Sequence, residues 1–237
     1  MNRCLGIVMF LAVVMAGRAA TDELPFAQFD GPELARQLLL QTPDENSTLT
    51  GILRIRANRK TTEIPVSVQA VVTGKGWESI YETTPGTNGP APVRLVIAHD
   101  GTNANRYELD GRIVEPGDTA VPFAGTDFWL SDLGLEFLHW PVQRVVKKEF
   151  RRNCACVVLE SVNPTPGTND YTRVLSWIDE ESGGIVQAEA YQGTKKLKYF
   201  APKDFKKVNG QWRLEEMQIE NVRTGSRTRL EFNLDSK

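Results

Sequence analysis

Few residues in this chain have the types and spacing that chemistry requires. Cys154 and Cys156 form a Cys-Ala-Cys pair on a predicted strand, where residues i and i+2 share a face. Such neighbours are either a strained disulfide or two semi-buried thiols, and the thiol reading is the simpler one. His99 falls at the end of a strand before an Asp-Gly turn and reads as a surface residue; His139, between Leu138 and Trp140, reads as a polar tip among aromatics. Asp179-Glu180-Glu181 could hold a cation but has the composition of a solvated hairpin tip. Lys147-Lys148 with Arg151-Arg152, and Lys195-Lys196 with Lys198, are short basic runs expected on edge strands and solvated faces.

No GxSxG, HExxH, Walker or GxGxxG pattern sits in a strand-to-helix context. Three Cys and two His are too few for a disulfide scaffold or a Cys/His zinc site. The expectation is therefore a protein that is not an enzyme, with no catalytic residue, no cofactor and no metal.

The elements that must position these residues are mostly strands. The chain has 237 residues, 41% hydrophobic and 24% charged, an ordinary globular composition. Its 28 Lys and Arg against 30 Asp and Glu give a formal charge of -2, or -4 once Arg3 and Arg18 are removed with a leader. That balance argues against a nucleic-acid partner held by phosphate neutralisation. Met1-Asn2-Arg3, an apolar run from Leu5 to Ala16, and Gly17 and Ala19 at the -3 and -1 positions read as a signal peptide over residues 1–19. Cys4 precedes the apolar run, so it is not placed as a lipid-modified cysteine. No later stretch approaches the ~20 apolar residues that cross a bilayer. The remainder, 20–237, is expected to be one exported, soluble domain. Asn46-Ser47-Thr48 is a formal glycosylation sequon, relevant only in a eukaryotic cell.

Asp30-Gly31-Pro32-Glu33 followed by Leu34, Leu38 and Leu39 predicts a short amphipathic helix ending near Gln41. From Leu49 the period changes to two, and turn chemistry at Thr73 to Gly76, Pro85 to Pro90, Asp100-Gly101 and Asp110-Gly111 divides a β-meander. The alternation resumes after Pro141 and runs to Leu234. Trp212 and Leu214 hold even positions while Met217 and Ile219 hold odd ones, so a bulge near Glu215-Glu216 is expected.

Between Gly125 and Pro141 the pattern breaks. Phe128, Trp129, Leu133, Leu135, Phe137, Leu138 and Trp140 are too dense for a one-sided helix, and Asp127 or Ser131 could cap it. A segment apolar on most sides must be covered on most sides. Eleven or more antiparallel strands in one sheet must curl, close or split. The economical solution is a mainly β fold with α, an open, curved antiparallel half-barrel with short helices on its concave side; a Greek-key sandwich is the alternative. Phe128, Trp129, Leu133, Leu135, Phe137 and Leu138 are the candidate lining of an apolar ligand cavity between sheet and lid.

From Gly125 onward the order and spacing of several pieces are fairly specific. They are Gly125 to Leu133 before Trp140-Pro141, Cys156 to Ser161, Tyr171-Thr172-Arg173-Val174 leading to Trp177-Ile178-Asp179, Tyr191-Gln192-Gly193, Lys198, Gly210-Gln211-Trp212 and Met217 to Asn221. In these the chain resembles the outer-membrane lipoprotein-sorting family, the LolA-like and LolB-like periplasmic carriers, in an uncharacterised branch. The resemblance implies a half-barrel with a helical lid whose interior shelters the acyl chains of lipoproteins or lipids in the periplasm. It also implies a bacterium with an outer membrane. Envelope donor and acceptor proteins, only transient membrane contact and a monomer are expected. A non-enzymatic envelope interaction module, its cavity filled by its own lid, is the alternative function.

Overall fold

The computed structural model describes residues 29–85, 91–168, 170–208 and 210–234. The signal-peptide assignment and the tip of the Pro85 to Pro90 turn lie outside them. The thirteen strands of the described residues belong to one antiparallel sheet. The first meander is β1 (Ser47–Ala57), β2 (Lys60–Thr73), β3 (Gly76–Thr83), β4 (Arg94–His99), β5 (Arg106–Leu109) and β6 (Arg112–Val114). The second is β7 (Val142–Arg151), β8 (Cys154–Val162), β9 (Arg173–Asp179), β10 (Ile185–Gln192), β11 (Lys195–Val208), β12 (Gln211–Asn221) and β13 (Ser226–Phe232). The two join where β1 pairs β13, so the outermost strands are β6 and β7, which do not pair with each other. The sheet is open, and the segment linking β6 to β7 must cross from one edge to the other.

Alternation decides which face is apolar. Leu53, Ile64, Val66, Val68, Tyr81, Leu95, Ile97, Phe200, Ile219, Leu230 and Phe232 are buried within one apolar cluster on the concave side. Where the second meander faces the crossing segment its residues become small: Ser176, Ala188 and Ala190 are fully buried. A second, smaller cluster of Cys154, Cys156, Val158, Trp177 and Val186 makes β8 to β10 apolar on both faces. The expected bulge is present, since Asp204 pairs Glu216 and Phe205 pairs Leu214, leaving Glu215 unopposed. A compensating irregularity after Pro202 lets β11 run on to Val208, longer than the apolar pattern alone implies.

Helix α1 (Gly31–Leu39) starts at Asp30, whose side chain accepts the Glu33 N–H at 3.0 Å. It buries Leu34, Ala35 and Leu38 and packs on β7 and β8. A Cβ at Gly31 would lie 2.4 Å from the Gln143 carbonyl oxygen, so glycine is what permits this approach. The crossing segment contains a 3-10 turn (Phe123–Gly125), one turn of helix α2 (Leu130–Leu133) and a second 3-10 turn (Glu136–His139). Among the described residues no helix is long and apolar enough to cross a membrane.

Candidate functional site: the lid and its polar anchors

The crossing segment lies on the concave face as a lid. Phe128, Leu135, Phe137 and Leu138 are each at most 2% exposed, Leu133 is 9% exposed and Trp129 is half-buried. All six belong to, or pack against, the same apolar cluster as the concave strands. Two backbone positions in the lid are left-handed without glycine, Ala124 (φ 47°) and Leu135 (φ 49°), a conformation that L-residues adopt only at a cost. The packing of Leu135 into the core offsets that cost.

Four groups of polar contacts fix the lid. The first is Asp127, whose backbone N–H donates to Thr228 Oγ1 at 2.9 Å and whose carboxylate accepts from the Thr228 and Ser226 hydroxyls. Asp127 therefore ties the lid to β13 and does not cap α2, contrary to one expectation. Nor does Ser131: Trp129 is the N-cap residue, and Asp132 accepts its backbone N–H at 2.8 Å. The second group centres on Asp132. Its Oδ2 accepts from Lys198 Nζ at 2.9 Å, and its Oδ1 accepts from the Tyr171 hydroxyl at 2.8 Å. Lys198 Nζ also lies 3.6 Å from the ring centroid of Trp129, which stacks on Tyr171 at 4.5 Å. Burial pulls the Lys198 ammonium below its usual range, against the opposing pull of Asp132. Burial and then the Asp132 carboxylate push the Tyr171 phenol far above its usual range.

The third group reaches the first meander. Asn105 donates from Nδ2 to the Gly134 carbonyl at 2.7 Å, and Tyr107 donates to Glu136 at 2.7 Å. Burial raises the Glu136 carboxyl, and burial with the Glu136 charge raises Tyr107. Because the amide nitrogen of Asn105 is engaged with Gly134, its oxygen faces His99 Nδ1 at 3.0 Å and must accept. This assigns the proton to Nδ1 and leaves Nε2 to accept from Ser79 at 3.0 Å. The order Ser79, His99, Asn105 matches a nucleophile-base-orienter relay. Ser79 is only 3% exposed and His99 stacks on Trp77 at 3.9 Å, so the relay serves as a buried anchor for the lid. Burial lowers His99 to about 4.

The fourth anchor is Gln143 of β7. Its Nε2 donates to the carbonyls of Phe137, Leu138 and Trp140, and its Oε1 accepts from Ser161. One side chain thus satisfies the carbonyl end of the last 3-10 turn.

Further sequence readings need correction. His99 is not at the surface, because its strand parity turns it inward onto Trp77. Lys198 is not on a solvated face: it is 1% exposed, on the same strand face as Phe200. The parity with Phe200 is the signal that places Lys198 inside, and Asp132 amid a dense apolar run is its counterpart. Lys196 does reach solvent, and it pairs with Glu189 at 2.8 Å. Lys147 and Lys148 line the open edge strand β7 and pair with Glu149 and Glu180. Asp179 is buried, not solvated as its place in a hairpin tip suggests, because it turns inward to accept from Ser182 within its hairpin; the described residues contain no metal-binding cluster. Cys154 and Cys156 are both buried, and the Cys156 thiol donates to the Cys154 carbonyl at 3.5 Å.

The family defined by this chain's C-terminal half is described as an uncharacterized-protein-like one, whose sequence model matches residues 111–234, just over half of the chain; the chain belongs to that family. No curated protein matches the sequence. Among solved structures, a putative outer membrane lipoprotein-sorting protein domain from Vibrio parahaemolyticus is similar over 86% of this chain and 90% of its own, at 19% identity and a TM-score of 0.70. A DUF1329 family protein from Desulfovibrio piger is similar over 89% and 92%, at 15% identity and a TM-score of 0.69. A LolA superfamily protein from Nitrosomonas europaea matches over 86% and 92%, at 15% identity and a TM-score of 0.59. The fold is LolA-like, as the resemblance read in the sequence implies.

Proposed function

We propose that the exported protein is a periplasmic, non-enzymatic carrier that binds the acyl chains of lipoproteins or lipids between the concave face and the lid. The observation that carries this reading is an open sheet whose apolar concave face is closed over by a segment joined to it through a few polar anchors. Burying apolar area at about 25 cal/mol per Å² gives several kcal/mol for one acyl chain. A ligand of that affinity can displace part of the lid, and an acceptor membrane can reverse the exchange without covalent chemistry. The residues to be exchanged for ligand are Phe128, Trp129, Leu133, Leu135, Phe137 and Leu138. The similarity to a putative outer membrane lipoprotein-sorting domain from Vibrio parahaemolyticus is consistent with this reading. In this account the carrier works as a monomer, meets the membrane transiently, and exchanges cargo with donor and acceptor proteins of the envelope.

The burial of five of the six lid side chains in the core, with Trp129 packed half-buried against it, favours a second reading, an envelope interaction module whose lid stays closed. Native mass spectrometry of protein purified from the periplasm without detergent separates the two. Stoichiometric phospholipid, fatty acid or acylated protein supports the carrier. A ligand-free protein that also refuses added fatty acid supports the module.

A further inference from the structure

We propose that the convex face, opposite the lid, carries a binding site for a phosphoryl group, built from Arg54, Arg56, Thr61, Arg227 and Arg229. These five residues line a cavity of about 240 Å³. The register of the central strand pair creates it: Arg54 of β1 lies opposite Arg229 of β13, and Arg56 lies opposite Arg227. Two arginine pairs are thereby stacked on one face. Like charges directly opposite each other across a strand pair destabilise a sheet. Nothing in the folding of a half-barrel calls for such a tetrad.

Flanking carboxylates compensate for part of it. Arg54 pairs with Glu63 at 2.8 Å and with Glu231 at 2.6 Å, Arg227 with Glu220 at 3.2 Å, and Arg229 with Glu216 at 3.4 Å. None of these acids lines the cavity. They hold guanidinium groups around it and leave its wall cationic. Among the described residues, donors remain unpaired: the Arg56 guanidinium has no ion-pair partner, and Arg227 Nε is buried with no hydrogen-bond partner. Planar guanidinium forks match tetrahedral oxyanions, and several forks around one concavity present more donors than a two-oxygen carboxylate can accept. A phosphoryl group supplies the additional oxygens and charge. The patch is compact and rimmed by acids, which does not suit a nucleic-acid track.

The phosphoryl group could belong to a soluble phosphate or to a phospholipid headgroup, and one experiment distinguishes them. The intact mature protein is titrated with inorganic phosphate by calorimetry at matched chloride ionic strength. In parallel it is sedimented with vesicles of phosphatidylglycerol or of phosphatidylcholine. The Arg56→Gln variant breaks no ion pair, so its unfolding midpoint without ligand should match that of the wild type. Saturable phosphate binding, weakened about tenfold in Arg56→Gln, supports a soluble ligand. Vesicle binding that free phosphate does not reproduce, lost to a similar degree in Arg56→Gln, supports a headgroup. Absence of both interactions, or binding that Arg56→Gln and Arg227→Gln leave unchanged, overturns the proposal. The lid plays no part in these outcomes.

Discussion

Lys198 Nζ lies 2.9 Å from Asp132 Oδ2, and the two side chains are 2% and 0% exposed. One belongs to the sheet and the other to the lid, so this ion pair fastens the two parts of the molecule inside the apolar core. Desolvating two charges is costly, and here the cost is offset by further contacts: the Tyr171 hydroxyl, the Trp129 N–H and the Trp129 ring. Such a pair specifies one lid position more than it stabilises the fold.

Removing one partner of the pair should therefore cost far more than removing both. Lys198→Met leaves a buried carboxylate and should destabilise by about 3–5 kcal/mol. Adding Asp132→Asn to that variant should recover part of the loss. Urea denaturation of the two single variants and the double variant measures the coupling; additive losses would show that the pair does not act as a unit.

Gly134 is where the lid approaches the first meander too closely for a side chain. Its φ is -93°, an ordinary value, yet a Cβ there would lie 2.1 Å from Tyr107 Oη. Gly134→Ala should destabilise by about 1–3 kcal/mol through overpacking. Combining it with Tyr107→Phe, which removes the nearest atom, should lessen that effect. Gly74→Ala, where a Cβ meets nothing within 4 Å, is the control in the same thermal-melt series.

His99 gives the fold a defined pH dependence. Its value is lowered from 6.5 to about 4 in the folded protein, chiefly by burial. Between those limits the unfolded chain binds the proton and the native one does not, so stability falls as pH drops from about 6.5 to about 4. A shift of this size corresponds to roughly 3 kcal/mol. His139, also lowered by burial, acts in the same direction. Glu136 and Asp170, both raised by burial, oppose it at the acid end, because there the native state holds the extra protons. Denaturation midpoints at pH 7 and pH 5 should differ less in His99→Gln than in the wild type; an equal difference would remove His99 from the account.

Strand alternation makes the large antiparallel sheet and the β12 irregularity legible in the sequence, and the capping and helical spacing after Asp30 do the same for the short first helix. Residues of one parity, such as Leu230 and Phe232 against Arg229 and Glu231, state directly which side is dry. The lid was legible only as an apolar excess. What Asp132, Tyr171 and Lys198 do depends on bringing together three segments far apart in sequence, and no local periodicity encodes that meeting. His99 is hard to place for a related reason: proximity to an Asp-Gly turn suggests exposure, while its parity with Leu95 and Ile97 points into the core. The arginine tetrad likewise needs the β1 to β13 register, because Arg54-Ile55-Arg56 and Arg227-Thr228-Arg229 separately describe only a wet face.

The lid side chains should matter to ligand retention in proportion to their place over the concave face. Trp129→Glu or Leu133→Asp, in protein verified as folded by circular dichroism, should shorten the residence of a bound fluorescent fatty acid at least severalfold. Unchanged residence in both folded variants would remove these residues from the binding surface.

The central claim is that the concave face accepts an acyl chain when the lid yields. Equilibrium titration of the ligand-free protein with a fluorescent fatty acid tests it most directly. The account predicts saturable uptake, competed by unlabelled fatty acid and accompanied by faster hydrogen exchange at the lid amides of residues 126–139. Fluorescence no higher than with an unrelated folded protein, with lid exchange unaltered, would contradict it.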